Sequence, residues 1–422
     1  MTSRRDFLKA CAAAGVFVPA LGLGRLAFAA EGAPAPLLVM VFQRGGCDGL
    51  QLVGPVNDRS YVDARSSDLR VLDSGERPGL ALANGLGTGL DFRLHPEAKA
   101  LFELYEAGQM AVLHACGLTN GSRSHFEAQD LIEHGVVSLD RLARTPDGWL
   151  TRYLATLGEA GGGDRIAAVS ANAGLAAALA RDDDALAIPE LQGGLPLPGG
   201  KEAAAVLGRL YAPGGTAIQQ AGARTLARVA LVEARLPRLP DGRPAPYNPS
   251  AAGYENNGFT QGLQAIARLA RMDVGLRVAC IDHASWDTHD TQAGRFNGLV
   301  GQLSRGLAAF CRDMAEAGRS VRIVVMTEFG RRLRSNRSQG TDHGHGSAML
   351  VLGADVRGGR MFGDWPGLET LRLDQGVDLA VTTDFRQVLA EVLALRAAER
   401  DRVFPGLAPR APLGLLRVDG MA

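Results

Sequence analysis

The sequence lacks an excess of charge of either sign. Its 422 residues carry 45 basic and 45 acidic side chains, so the formal net charge is zero. Nucleic acids and anionic lipid surfaces attract proteins through a surplus or a tract of positive charge. The balanced composition therefore disfavours nucleic acid as a partner.

Cysteine is also scarce. The chain has five cysteines, and those beyond the first thirty residues are Cys47, Cys116, Cys280 and Cys311. None of them has the C-x-x-C spacing of a zinc knuckle or a redox pair. Each lies in or beside an apolar segment, which is typical of a small buried side chain. No disulfide pairing follows from this pattern.

The N-terminal segment has no apolar run long enough to span a membrane. A spanning helix needs about 20 uninterrupted apolar residues, whereas Pro19 and Arg25 interrupt the stretch between residues 10 and 29. Ser3–Lys9 reads S-R-R-D-F-L-K, which is the pattern of a twin-arginine export signal. Small residues before position 30 suit cleavage by a signal peptidase. We therefore predict a signal peptide at 1–29, the twin-arginine translocase as a partner, and a periplasmic or secreted protein without a stable membrane span.

The remaining chain alternates apolar runs of strand length with helical patterns. The predicted strands are 36–42, 110–114, 166–169, 276–281, 321–326 and 348–352. The predicted helices are 95–108, 124–132, 147–157, 218–236, 261–271 and 292–317. Runs that are apolar on both faces, separated by helices, indicate an α/β fold with a mainly parallel sheet and helices on both faces.

One stretch departs from this alternation. Residues 172–254 are rich in glycine and proline around the single helix at 218–236. We expect one large α/β domain over residues 30–422, with this stretch inserted as a cap.

Polar residues follow the predicted strands, and in such sheets ligands bind beyond the carboxyl ends of strands. These residues are Asp48, Ser122, Ser124, His125, Asp287, His289, Glu328, Asp342, His343 and His345. Together with His283, the histidines of this list make five of the chain's eight, and His343 and His345 lie on a glycine-rich loop with Asp342. Imidazole together with carboxylate suits zinc, manganese or iron. The pattern therefore predicts a metal site at one edge of the sheet.

Seven motifs, in order, resemble those of the exported bacterial proteins known as the DUF1501 family. They are V-F-Q-R-G-G-C-D-G-L (41–50), L-H-P-E-A (94–98), S-R-S-H-F-E-A (122–128), S-W-D-T-H (285–289), M-T-E-F-G-R (326–331), T-D-H-G-H-G (341–346) and T-T-D-F-R (382–386). That family is assigned to the alkaline phosphatase and sulfatase-like superfamily. The resemblance implies a fold like that of alkaline phosphatase and a site that binds one or two divalent ions, with zinc expected and manganese, calcium or iron as alternatives.

The resemblance also implies roles for individual residues. Asp48, which precedes Gly49, matches the first-strand aspartate that binds metal, while Asp287 and His289 resemble a later pair of ligands on a shorter spacing. Ser124, with Ser122 as the alternative, matches the nucleophile that opens a helix. A helix N-terminus offers free N–H groups and partial positive charge to a phosphate or sulfate.

Two alignments compete for the superfamily's Asp-His pair. In one, T-E-F-G (327–330) takes its place with Glu328 for the aspartate, and His343 or His345 is the late metal ligand. In the other, Asp342 and His343 are the pair and Glu328 is an auxiliary ligand. Both alignments keep Asp342 and His343 near the metal.

The sulfatase maturation motif Cys-x-Pro-Ser-Arg is absent from the sequence, which favours phosphate esters over sulfate esters. Arg123, His125 and Arg331 border the motif loops and are expected to bind the substrate, since arginine holds an oxyanion bidentately. The first hypothesis is therefore an exported metal-dependent hydrolase of phosphate or related esters, acting on a small or polymeric ester. The second is a secreted, non-catalytic binding or assembly protein on the same fold, with a structural or vestigial metal site.

Overall fold

An apolar strand, β1 (Leu37–Gln43), lies in the interior of the largest sheet and is buried along its whole length. The computed structural model describes residues 35–417 except 84, 159–164, 213, 248, 250 and 251. The predicted signal peptide lies outside these residues. The further strands in the described part are β2 (Val53–Pro55), β3 (Leu80–Ala81), β4 (Phe92–Leu94), β5 (Met110–Gly117), β6 (Ala168–Ser170), β7 (Leu186–Ala187), β8 (Val278–His283), β9 (Val321–Met326), β10 (Ser347–Gly353), β11 (Arg360–Phe362) and β12 (Thr383–Asp384).

Helices separate most of these strands. Those in the described ranges are α1 (Gly49–Leu52), α2 (Arg59–Ala64), α3 (Lys99–Glu106), α4 (His125–Glu133), α5 (Leu139–Leu142), α6 (Trp149–Thr156), α7 (Gly200–Tyr211), α8 (Ala217–Arg235), α9 (Gly258–Arg271), α10 (Gln292–Glu316), α11 (Phe385–Val392) and α12 (Ala397–Val403).

The large sheet has the strand order β11-β5-β10-β9-β1-β8-β6-β7, and β12 pairs with β5. All these strands run in one direction except β10, which is antiparallel to both β9 and β5. Strands β2, β4 and β3 form a separate antiparallel sheet. The expected α/β fold with a mainly parallel sheet is confirmed at this level, and β10 makes the sheet mixed.

Side chains of β1 alternate between two apolar layers, as the pleat of a strand requires. Leu37, Val39 and Val41 belong to one layer, which is covered by α3, α9 and α10. Leu38, Met40 and Phe42 belong to the other, which is covered by α4, α6, α11 and α12. The double burial explains why the sequence of β1 is apolar without alternation.

The stretch 172–254 contains β7, α7 and α8. Helix α7 buries none of its residues, whereas α8 buries Arg228 and Val232. Within the described part of the chain, no helix is both long enough and apolar enough to cross a membrane.

Candidate metal centre

Four loops meet at the edge of the sheet where the parallel strands end. They follow β1, β5, β8 and β9, which are parallel to one another. Because β10 is antiparallel to β9, the connection 327–346 leaves the sheet and returns to it at this same edge. The antiparallel strand therefore brings Glu328 and the T-D-H-G-H-G segment to one place.

Two glycines make this close arrangement of loops possible. Gly45 has a φ of +116°, and a Cβ atom there would lie 2.4 Å from the backbone nitrogen of Asp287. A Cβ atom at Gly330 would lie 1.9 Å from the carbonyl oxygen of Gly346. Any side chain at either position would push the loops apart, since neither neighbour is a flexible side chain.

Three histidines surround the carboxylate of Asp287. His289 Nε2 and His343 Nε2 are 2.9 Å apart. Asp287 Oδ1 lies 3.0 Å from His289 Nε2 and 3.3 Å from His343 Nε2. Asp287 Oδ2 lies 3.4 Å from His125 Nε2. Three loops that are distant in sequence thus contribute to one cluster of nitrogen and oxygen atoms.

The other ring nitrogen of each histidine faces an oxygen atom. His125 Nδ1 is 2.8 Å from Glu328 Oε1, and His343 Nδ1 is 2.9 Å from the carbonyl oxygen of Arg123. His289 Nδ1 is 3.4 Å from Asp342 Oδ1. An oxygen acceptor at Nδ1 favours the Nδ1–H tautomer, so each Nε2 presents a lone pair toward Asp287.

His125 Nε2 is buried and has no hydrogen-bond partner among the described residues. In the Nδ1–H tautomer that Glu328 favours, this nitrogen is an acceptor without a donor, which is costly when buried. A cation bound at Nε2 would remove that cost.

The carboxylate of Glu328 is buried and held from three sides. Besides His125, it accepts hydrogen bonds from Gln129 Nε2 and from the backbone N–H of Gly45, each at 2.8 Å. Burial acts to raise the pKa of Glu328, but these hydrogen bonds outweigh it and hold the pKa below its ordinary value. The hydrogen bond to Glu328 in turn raises the pKa of His125.

Asp287 is fixed by an ion pair with Arg331, whose side chain is buried. Arg331 also donates to the carbonyl oxygens of Gly46 at 2.7 Å and Thr341 at 2.9 Å. Partial burial pushes the pKa of Asp287 upward, but the hydrogen bond and charge of Arg331 hold it below its usual value. Arg331 thus ties three loops together, and its donors face protein atoms rather than solvent.

His125, Asp287 and His343 form a group whose chemistry fits a divalent metal, and His289 lies beside them. His125, Asp287 and His343 offer ligand atoms that all lie within 4.8 Å of one another. The distances from the Asp287 oxygens to the three Nε2 atoms are 3.0 to 3.4 Å, close to the separation of about 3.3 Å between the ligands of a tetrahedral ion. Nitrogen donors with one carboxylate suit zinc best, while the same set also serves iron or manganese.

Asp48 lies outside this cluster. It is fully buried and accepts two hydrogen bonds from Arg65, of 2.8 and 3.0 Å. It also accepts from Gln292 Nε2 at 2.8 Å and caps α1 through the N–H of Gln51. Both of its oxygens are therefore occupied by protein donors.

His345 is also engaged elsewhere. Its Nε2 lies 2.8 Å from the carbonyl oxygen of Leu118, and its Nδ1 lies 3.3 Å from Asp374 Oδ2. Asp342 approaches the cluster through His289 and accepts a hydrogen bond from Asn336 at 3.0 Å. That hydrogen bond lowers the pKa of Asp342.

The two candidate nucleophiles lie at the start of α4. Ser124 occupies the N-cap position, is exposed, and makes no side-chain hydrogen bond to the helix. It directly precedes His125, and its backbone N–H donates to the hydroxyl of Ser122 at 3.4 Å. The hydroxyl of Ser124 is therefore not committed to capping.

Sequence reasoning missed the partners that determine these roles. Arg65 neutralises Asp48, Gln129 supports Glu328, and Asp374 and Asp378 bind the side chain of Arg123. None of them belongs to a motif. Arg65 lies 17 residues after Asp48, and the others are 199 residues or more from their partners. Only Gln129, one helical turn after His125, could have been found by spacing.

Comparison with known proteins supports the family resemblance over part of the chain. The model of a family described as "Protein of unknown function (DUF1501)" matches residues 216–401, which is less than half of the chain. No curated protein and no solved structure gives a match. The matched part contains the motifs at 285–289, 326–331, 341–346 and 382–386, and so includes Asp287, His289, Glu328 and His343.

Proposed function

We propose that the protein is a metal-dependent hydrolase of phosphate esters, or of related sulfate esters, with a fold like that of the alkaline phosphatase superfamily. The observation that carries the proposal is the orientation of three imidazoles. Each has its Nδ1 beside an oxygen acceptor and its Nε2 beside the Asp287 carboxylate. Outer acceptors of this kind orient histidine ligands in metalloproteins.

Each residue in the proposed site has a distinct task. His125, His289, His343 and Asp287 would hold one divalent ion, with zinc as the first choice. A bound ion would supply positive charge that polarises the ester and stabilises the charge developing on its oxygens. Glu328, Asp342 and the Arg123 carbonyl orient the imidazoles.

Ser124 is the proposed nucleophile, with Ser122 as the alternative. Its hydroxyl stands at the N-terminus of α4, where backbone N–H groups and partial positive charge favour an anionic ester. His125, one residue later, links this helix terminus to the Asp287 cluster. The serine oxygen would attack phosphorus, and its proton would pass to solvent or to a neighbouring base as the ester oxygen leaves.

A second candidate function is supported by the number of protein donors. Three imidazoles and one carboxylate would fill a tetrahedral shell, and closed shells are typical of structural metal sites. On this reading the protein is a secreted binding or assembly protein, and its metal holds three loops together.

The two candidates separate in one experiment. The protein is purified without chelator, its metal content is measured by elemental analysis, and it is assayed with aryl phosphate and aryl sulfate esters. The hydrolase is supported by stoichiometric metal and by turnover that is lost in Ser124→Ala but retained in Ser122→Ala. Stoichiometric metal without turnover supports the structural site. Metal-free protein without turnover contradicts the hydrolase and supports a binding protein whose metal site is vestigial.

We further propose that the protein reaches the periplasm, or the outside of the cell, through the twin-arginine route. The support is the S-R-R-D-F-L-K pattern at Ser3–Lys9. A protein that crosses the membrane folded can take up its metal beforehand. Replacing Arg4 and Arg5 together by lysine should leave the protein in the cytoplasm, as measured by cell fractionation, and unchanged export would contradict this route.

A further inference from the structure

Arg123, Asp374 and Asp378 form an ion-pair group on the Nδ1 side of His343, away from the proposed ligand atoms. The guanidinium of Arg123 donates from Nε to Asp378 Oδ2 at 2.8 Å and from Nη2 to Asp374 Oδ2 at 3.1 Å. Its Nη2 also contacts Asp378 Oδ2. The carbonyl oxygen of the same arginine is the acceptor that faces His343 Nδ1. One residue thus joins two carboxylates to a proposed metal ligand.

The two aspartates lie on a short closed turn. The backbone N–H of Asp374 donates to the Asp378 carbonyl at 2.8 Å, and the N–H of Asp378 donates back to the Asp374 carbonyl at 3.1 Å. Asp378 also forms a β-bridge with Arg332, next to the bridge between Arg331 and His343. The turn is therefore anchored to the same backbone segment that carries His343.

The side chain of Asp378 is fully buried, and its hydrogen bonds go to one partner. Its Oδ2 receives both donors of Arg123, whereas its Oδ1 has no hydrogen-bond partner in the described part of the chain. Arg332 Nε forms a long ion pair with Oδ1, at 4.0 Å. The side-chain hydrogen bonds that a substitution of Asp378 removes are therefore those with Arg123.

We propose that Asp378 is a positioning residue for the metal centre, because it holds Arg123 so that the Arg123 carbonyl fixes His343 as the Nδ1–H tautomer. His343 Nε2 then keeps its lone pair on the side of Asp287. The consequence for metal affinity rests on the metal centre proposed above, whereas the tautomer can be observed without metal.

The test compares Asp378→Asn with Asp355→Asn. Asp355 forms a similar two-donor ion pair with Arg322, at 2.9 and 2.6 Å, but Arg322 lies at the start of β9 and so at the opposite edge of the sheet. Zinc affinity is measured by competition with a chromogenic chelator. The His343 tautomer is read from ¹⁵N NMR of metal-free protein, with the signal assigned through His343→Gln.

We expect Asp378→Asn to weaken zinc binding about tenfold to hundredfold, the range for outer partners of metal ligands. The His343 signal should change from the Nδ1–H tautomer to a mixture, and Asp355→Asn should change neither quantity. Asp378→Glu, which keeps the charge, should recover part of the affinity.

The outcomes separate the two proposals. An Asp378→Asn protein that keeps the wild-type tautomer and wild-type zinc affinity overturns the positioning role and leaves the metal centre standing. If the wild-type protein binds no zinc, but His343 changes tautomer in Asp378→Asn, the metal centre alone is overturned. Equal effects of Asp378→Asn and Asp355→Asn would mean a general loss of stability, and would overturn the positioning role. Should Asp378→Asn fail to fold, Arg123→Lys provides the same comparison, since it keeps the charge but loses the two-donor geometry.

Discussion

Two aspartates at one edge of the sheet have opposite surroundings. Asp48 follows β1, and Asp287 follows the neighbouring strand β8. Each is paired with a buried arginine, Asp48 with Arg65 and Asp287 with Arg331. The Asp48 side chain is wholly buried, whereas the Asp287 side chain is 45% exposed and also faces three imidazole nitrogens. The chemistry of a carboxylate after a strand therefore depends on its exposure and on the groups that face it in addition to its arginine partner.

The largest effect on the free energy of unfolding is expected at Asp48. Asp48→Ala leaves Arg65 buried without its ion-pair partner, and losing one member of a buried pair costs about 3–5 kcal/mol. Urea unfolding should show this fall in the free energy of unfolding, while zinc content in the folded protein stays at the wild-type level. A stable Asp48→Ala protein without metal would instead make Asp48 a ligand, as the family resemblance implies.

At Asp287 the main effect is expected on zinc affinity instead of on stability. Asp287→Ala should reduce zinc affinity by more than about 100-fold, beyond the loss expected for an outer partner. The free energy of unfolding of the metal-free protein should fall less than in Asp48→Ala, because the Asp287 carboxylate is 45% exposed, whereas both members of the Asp48–Arg65 pair are buried. Chelator competition and urea unfolding give the two numbers, and unchanged zinc affinity would contradict the centre.

A smaller effect on zinc affinity is expected at Glu328, which orients His125 and is not itself a proposed ligand. Glu328→Gln removes the charge that orients His125 and should weaken zinc binding about tenfold to hundredfold. Gln129→Ala is the matched control, since it removes a neighbour of Glu328 and leaves His125 its acceptor. Equal losses in the two variants would mean that Glu328 acts through packing alone.

A fourth prediction contrasts the cluster with the histidines of the interior. Burial lowers the pKa of His114 to about 4, as it does for His283. Such a histidine is neutral when folded, so the unfolded chain binds the extra proton between about pH 6.5 and pH 4. The neutral buried histidine therefore contributes fully to the free energy of unfolding above pH 6.5. This contribution decreases as the pH falls below 6.5, by about 2 kcal/mol per histidine between pH 7 and pH 5. In urea unfolding of metal-free protein, His114→Gln should flatten this pH dependence, and an unchanged slope would contradict the assignment.

The smallest expected effect on stability is at Ser124. Its side chain makes no capping hydrogen bond, so Ser124→Ala should change the free energy of unfolding by less than about 0.5 kcal/mol. Turnover of an aryl phosphate should nevertheless disappear. A large loss of stability would mean that any loss of activity reports on folding rather than on a nucleophile.

The sheet was predictable from sequence because its strands are buried on both faces. The runs around residues 36–42 and 321–326 correspond to β1 and β9 within one residue at each end. The direction of β10 was not predictable, because an antiparallel strand inside a mixed sheet has the same apolar composition as its parallel neighbours.

The site was predictable only in part. Position after a strand identified Asp287, His289 and His343, which the structure brings together. It could not distinguish Asp48 from Asp287, since Arg65 lies in no motif. His125 was counted both among the histidines of a metal site and among the residues expected to bind the substrate. Its contact with Glu328 was not predictable, because it joins two loops that only the folded sheet brings together.

The order of strands in the sheet has a consequence for how the protein folds. Strand β1 is the first of the described strands to be made, yet Leu38 pairs with Val278 on one side and Arg322 on the other. The ribosome must therefore finish most of the chain before the central strand finds either neighbour. Pairing over such distances is slow, and it leaves an apolar strand exposed in the meantime. We expect refolding to be slow and aggregation-prone, and a nascent chain that ends before β8 to need a chaperone.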